Sequence, residues 1–175
     1  AMEPRSGHIK AWVGGVNYKY FQYDHVGQGA RQVGSTFKPF LYATAIEQLG
    51  MSPCDSIIDS YFTMPKGKWG IDADWSPKNS DGNYRGTITL QKALANSVNT
   101  VSAKLIDRVG PKAVVDMAKE LGVTSDIPEQ PSIALGAVDI TVEQMVCAMS
   151  TFANQGVYVK PTFIIKIEDK NGVVI

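Results

Sequence analysis

The run Arg31-Gln32-Val33-Gly34-Ser35-Thr36-Phe37-Lys38-Pro39-Phe40 fixes both where a helix starts and what stands at its start. Proline lacks the N–H that a helix interior needs, so Pro39 is tolerated only among the first four donors, and the helix must begin within a turn of Ser35. Residues 36–49 read as helical, and Gly50 supplies the stop. A lysine three residues on from a serine in a helix lies one turn away on the same face, within reach of the hydroxyl proton. Those four residues alone also describe a helix cap followed by a solvated lysine. The surroundings favour an activated serine. Gly34 allows close backbone approach, the helix start offers free N–H groups, and Phe37, Phe40 and Leu41 would desolvate Lys38 and favour its neutral, basic form.

A second polar element follows about sixty residues later. The chain's single Ser-x-Asn, Ser97-Val98-Asn99, falls between a helical stretch opened by Thr89 and another carrying Val101, Leu105, Ile106 and Val109 up to Gly110. Two polar residues at such a break can simply satisfy helix ends. Set beside Ser35 in a turn, the Ser97 hydroxyl could instead pass a proton between Lys38 and a leaving amine, while the Asn99 amide holds a substrate peptide bond. The third element of this motif set, Lys-Thr-Gly or Lys-Ser-Gly, occurs nowhere in the chain.

The rest of the chain reads as scaffold. His8-Ile9-Lys10-Ala11-Trp12-Val13 alternates polar with apolar and predicts a strand, followed by a loop with Tyr18, Tyr20, Phe21 and Tyr23. Residues 51–85, rich in Pro, Gly, Asp, Ser and Asn, predict a long connection with a short hairpin at most. Its Trp75-Ser76-Pro77-Lys78-Asn79 reads as a hydrophobic anchor, with substrate contact as the alternative. Residues 111–121 form another helix with proline in its first turn. Thr141-Val142-Glu143-Gln144 is a capping box, and Val142, Met145, Val146, Met149, Phe152 and Ala153 make an apolar stripe that predicts a core helix. Two apolar runs, 163–167 and 173–175, flank Asp169-Lys170-Asn171-Gly172 and predict a hairpin.

Composition sets limits rather than choices. Seventeen basic and seventeen acidic side chains leave no net charge, so no nucleic-acid footprint is expected. No apolar run is long enough to cross a bilayer. Cys54 and Cys147 are too few and too far apart for a metal or redox motif; both read as small buried hydrophobes, with a disulfide permitted outside the cytoplasm. His8 and His25 have no patterned partners, and neither a metal nor a cofactor is expected.

Taken together, these segments resemble the transpeptidase domain of class A penicillin-binding proteins, in the serine β-lactamase-like superfamily. The resemblance runs from Ala11-Trp12-Val13-Gly14-Gly15 through the serine segment and Tyr42, then Thr89-Leu90-Gln91-Lys92-Ala93-Leu94 and Ser97-Val98-Asn99. It continues through Ala134-Leu135-Gly136-Ala137 and Phe152-Ala153-Asn154-Gln155-Gly156 to Lys160-Pro161. It implies an α/β fold of the α+β type, with a helical subdomain beside an incomplete antiparallel sheet. Residues 1–175 would be a partial transpeptidase domain cut before the Lys-Thr-Gly strand, alone a weak catalyst or none, with an open sheet edge prone to association.

The activity implied is D-alanyl-D-alanine transpeptidation. Ser35 would be the nucleophile, Lys38 its base, Ser97 the proton relay and Asn99 a substrate-binding residue, with stem peptides and β-lactams as partners. The parent would carry an N-terminal glycosyltransferase domain and a membrane anchor, and work on the extracytoplasmic face of a bacterial membrane, in the periplasm of a Gram-negative cell. A β-lactamase or D,D-carboxypeptidase is the nearest enzyme alternative, though Glu120 and Glu129 lack the Glu-x-x-Leu-Asn context of a class A lactamase. A β-lactam-sensing receptor domain, which acylates without turnover, and a structural half completed by another segment are the others.

Overall fold

A computed structural model describes residues 1–175. The chain divides into two compact units: Arg31–Ala118 with Asp126–Asp139, and Ala1–Ala30 with Lys119–Ser125 and Ile140–Ile175. Secondary structure is α+β, with short strands and a predominance of helix.

The first unit opens with β1 (Arg31–Gln32), a 3-10 turn at Gly34–Phe37 and helix α1 (Lys38–Leu49), which stops at Gly50 in a left-handed conformation. Next come β2 (Ser56–Asp59) and β3 (Gly86–Thr89), antiparallel, with Ile57 opposite Ile88. The connection between them is more organised than its composition suggests: Met64 and Trp75 exchange both backbone hydrogen bonds at 2.9 Å. Helices α2 (Leu90–Ala95), α3 (Asn99–Val109) and α4 (Pro111–Glu120, inside this unit as far as Ala118) follow, then a 3-10 turn at Pro131–Leu135. Thr89 caps α2 by accepting the Lys92 N–H.

α3 is the centre of this unit. It lies against α1, the Pro131–Leu135 turn and β2, and buries Val101, Leu105 and Ile106 completely among Phe37, Phe40, Leu41 and Ile133. Truncating one of these large side chains to alanine costs about 2–5 kcal/mol, so the core holds the N-terminus of α3 and the start of α1 in fixed relation.

The second unit contains Ile140, the last residue of the short strand β4 (Asp139–Ile140), and helix α5 (Val142–Ala153). Several expectations are corrected here. The predicted strand at His8–Val13 shrinks to single bridges, Met2 with Ile9 and His8 with Thr162; beyond Ile9 the chain turns to place the Trp12 indole on Asp24, at 3.0 Å, and against Phe163. The 163–175 hairpin forms its turn but pairs only at Glu168 and Val174. In α5 the predicted apolar stripe is the half-exposed side, with Val142 and Phe152 exposed, and the buried side is Cys147, Ala148, Ser150 and Thr151. Helical spacing reveals which residues share a face, not which face is covered. The capping box is half made: Thr141 accepts the Gln144 N–H, but the Gln144 side chain accepts the N–H groups of Thr124 and Ser125 instead of returning to Thr141. Cys147 is buried as expected; Cys54 is exposed, and both are free thiols.

Candidate active site

All four candidate residues belong to the same unit, and the fold brings them together. Ser35 sits exposed in the 3-10 turn, directly after Gly34, whose φ of 54° is left-handed. That turn is braced by the loop closing the Pro131–Leu135 turn. The Gly34 N–H donates to the Gly136 carbonyl at 3.1 Å and the Val33 N–H to the Val138 carbonyl at 3.0 Å. The approach is so close that a Cβ on Gly136 would lie 1.8 Å from the Gly34 carbonyl oxygen. Glycine at 136 is therefore a steric requirement, while at Gly34 a Cβ would meet nothing and only the left-handed φ favours glycine. No intramolecular backbone hydrogen bond engages the Ser35 N–H.

Lys38, one turn on, is buried to 1% exposure, and its neighbours in sequence Phe37, Phe40 and Leu41 are buried as well. Its ammonium group donates to the Ser97 carbonyl at 2.6 Å, to Ser97 Oγ at 2.9 Å and to Asn99 Oδ1 at 2.8 Å. Burial depresses its pKa from 10.5 to about 8. Ser97 Oγ in turn donates to Ser35 Oγ at 2.8 Å. The sequence predicts direct contact between Ser35 and Lys38; here Ser97 stands between them, and no hydrogen bond joins the pair directly. The Lys38 ammonium is instead taken up by the Ser97 carbonyl, Ser97 Oγ and Asn99 Oδ1, which use all three of its N–H bonds.

These contacts dictate a direction. A neutral lysine has two N–H bonds and one lone pair. The Ser97 carbonyl can only accept, and Asn99 Oδ1 is fixed as an acceptor because its Nδ2 donates to the Lys78 carbonyl at 2.9 Å. Both N–H bonds of a neutral Lys38 are thereby consumed, and its lone pair is left facing Ser97 Oγ.

The turn that presents Ser97 is strained: its φ of 53° is rare for a residue with a side chain. The supports of this turn are the residues that sequence reasoning missed. Asn79, nearly buried, accepts the N–H groups of Asn99 at 2.9 Å and Thr100 at 3.2 Å, and donates to Asp59 and to the Asn83 carbonyl. Asp59 is fully buried and also accepts from the Thr100 hydroxyl and from the Arg85 N–H and guanidinium. Burial works to raise the Asp59 pKa, and the bonds from Thr100, Asn79 and Arg85 outweigh it and hold it below the ordinary value. Trp75 is half-buried and its neighbour Pro77 buried, as an anchor would be.

Residues 1–174 match the family profile described as penicillin binding protein transpeptidase domain. Among curated proteins, the chain is 39% identical over 178 residues to penicillin-binding protein 1A of Aquifex aeolicus, covering all of this chain and 24% of that protein. Among solved structures, penicillin-binding protein 1A of Haemophilus influenzae superposes with a TM-score of 0.84 at 30% identity, over 93% of this chain and 24% of that one. The PonA1 protein of Mycobacterium tuberculosis, solved in complex with penicillin V, gives 0.85 at 30% identity, over 99% and 47%. The chain thus spans about a quarter of the length of the first of these relatives.

Proposed function

The chain belongs to the penicillin-binding protein transpeptidase family and shares its β-lactamase-like fold, and from that premise we propose that it carries the acylation half-site of a D-alanyl-D-alanine transpeptidase that cross-links peptidoglycan stem peptides and is a target of β-lactams. The observation that carries the reading is the unbroken chain from Ser35 Oγ through Ser97 Oγ to Lys38 Nζ, at 2.8 and 2.9 Å.

In this mechanism Ser35 Oγ attacks the carbonyl carbon of the penultimate D-alanine. The serine proton moves to Ser97 Oγ as the Ser97 proton moves to the neutral Lys38 amine. The C–N bond to the terminal D-alanine then breaks, and Ser97 returns a proton to the leaving nitrogen, replenished from Lys38. An ester on Ser35 remains. The amine of a neighbouring stem peptide attacks that ester, gives its proton back through Ser97, and releases Ser35 with a new amide formed. General-base help of this kind is worth about 10²–10⁴ in rate. Asn99 would serve both partners, with its amide oxygen on Lys38 and the substrate amide beside it. The unengaged Ser35 N–H is suited to stabilise the oxyanion. A second donor and the site for the substrate carboxylate are assigned to a Lys-Thr-Gly strand, which these residues lack; losing one oxyanion donor costs about 10²–10³ in rate. The parent protein is read as anchored on the extracytoplasmic face of the membrane, beside a glycosyltransferase domain.

The test is to incubate the full-length protein with a labelled penicillin and map the adduct by mass spectrometry. The label is expected on the peptide containing Ser35. A label on Ser97, or none, refutes the assignment.

A further inference from the structure

Helix α3 begins without a cap of its own. Its N-cap residue is Val98, which has no side-chain oxygen, yet the first N–H groups of a helix need acceptors, the more so where Val98, Thr100 and Val101 are buried. Asn79, twenty residues away in sequence, supplies the acceptor: its Oδ1 takes the N–H groups of both Asn99 and Thr100. Its Nδ2 donates to Asp59 Oδ1 at 2.9 Å and to the Asn83 carbonyl at 2.8 Å. Every hydrogen-bonding position of this amide is thus used. Turning it over would set its NH2 against two N–H donors and its oxygen against a carboxylate, so its orientation is fixed.

The residue before it completes the clamp. The Lys78 carbonyl accepts from Asn99 Nδ2 and so points Asn99 Oδ1 at Lys38. If the Asn99 amide turned over, its NH2 would face the lysine, and the lone pair of neutral Lys38 would be drawn to Asn99 rather than Ser97. The same turn holds Ser97 at a left-handed φ, which persists only where its surroundings over-determine it.

We propose that Asn79, anchored on the buried carboxylate of Asp59, is a positioning residue for the Ser97–Asn99 turn: it caps α3 from a distant loop and holds the start of the helix where the neighbouring Lys78 carbonyl fixes which atom of Asn99 faces Lys38. This inference rests on the roles given above to Ser35, Lys38, Ser97 and Asn99.

The experiment measures penicillin acylation of the full-length protein as two separate quantities, the fraction of molecules labelled at completion and the first-order rate constant of those that react. Loss of folded protein lowers the first; a misplaced relay lowers the second. Asn79→Ala is expected to label to completion with a rate constant reduced at least tenfold, a displacement of about 1 Å in an active site being able to cost about a hundredfold. Asn79→Asp is the isosteric second variant, for the case in which alanine does not fold. It keeps the acceptor for α3 but sets a carboxylate against Asp59 and the Asn83 carbonyl, and is expected to be slow as well. Adding Asp59→Asn to it restores a donor facing an acceptor and is expected to recover at least tenfold in rate constant. Variants whose rate constants equal the parent's, or a double variant no faster than Asn79→Asp alone, overturn the proposal. A parent protein that takes no label at Ser35 instead removes the reading of the site on which the proposal stands.

Discussion

Burying Lys38 should leave a measurable mark on stability that has a definite sign. Its pKa falls from the ordinary 10.5 to about 8 on folding, through desolvation. At about 1.4 kcal/mol per pH unit, that gap corresponds to a penalty of about 3 kcal/mol at neutral pH, where the folded chain must keep a buried ammonium. Between the two values the unfolded chain binds the extra proton, so stability rises with pH through this window, and about 2.5 kcal/mol should be recovered by pH 10. Lys38→Met isolates the effect, because methionine fills similar space and never ionises. It also orphans the Ser97 carbonyl and Asn99 Oδ1, at about 1–3 kcal/mol each, but that cost does not change with pH. Other groups titrate nearby: burial raises the pKa values of Tyr42, Cys147 and Tyr158. Those groups are common to both proteins and vanish on subtraction. The assay is chemical denaturation of parent and variant from pH 7 to pH 10. The parent-minus-variant stability should climb by about 2.5 kcal/mol, and the variant should not acylate. A difference curve flat to within about 1 kcal/mol would refute the argument that desolvation makes Lys38 a base.

Two further substitutions separate strain from chemistry and bracing from both. Ser97→Gly removes the hydroxyl between Ser35 and Lys38 and also relieves the left-handed φ, so acylation should fall about 10²–10⁴-fold while the thermal midpoint holds or rises. Acylation above a tenth of the parent rate would sink the relay. Gly136→Ala pushes a Cβ into the Gly34 carbonyl at a φ of 75°, and should cost more than about 2 kcal/mol together with most of the acylation rate; an unchanged melt would show that the serine turn is not braced there.

The parts of the site that were legible in the sequence are those set by local geometry. Pro39 ties a helix start to Ser35, and two helical stripes that fail to join leave Ser97 and Asn99 at the break; both follow from residues a few positions apart. Asp59 and Asn79 carried no such signal. Each meets α3 from at least twenty residues away, inside a Pro- and Asn-rich connection whose composition suggested only a loop. Ser97, Asn99 and Thr100, each with a side-chain oxygen able to cap a helix, stand at the start of α3, so nothing local calls for an acceptor from Asn79. The strands expected at 8–13 and 163–175 fail to form ladders for a related reason: alternation describes a side chain's preference for a covered face, while a ladder also needs a partner in register, and only single bridges form there. Gln144 shows the same competition at small scale, since two loop N–H groups take the oxygen that the capping box would have used.

The three acceptors around Lys38 have a consequence for timing. With the lysine protonated, its third N–H occupies Ser97 Oγ, and the Ser97 hydrogen is turned toward Ser35. In that state every hydrogen in the row points outward, toward the substrate, and Ser35 has nowhere to send its own. Losing one proton from Lys38 lets the whole row face inward with no heavy atom moving. If Ser35 is the nucleophile as proposed, the protonated site is polarised against the reaction, and readiness is a matter of hydrogen direction alone. On the mechanism proposed above, a substrate that arrives before the reversal meets a serine that is correctly placed and still inert.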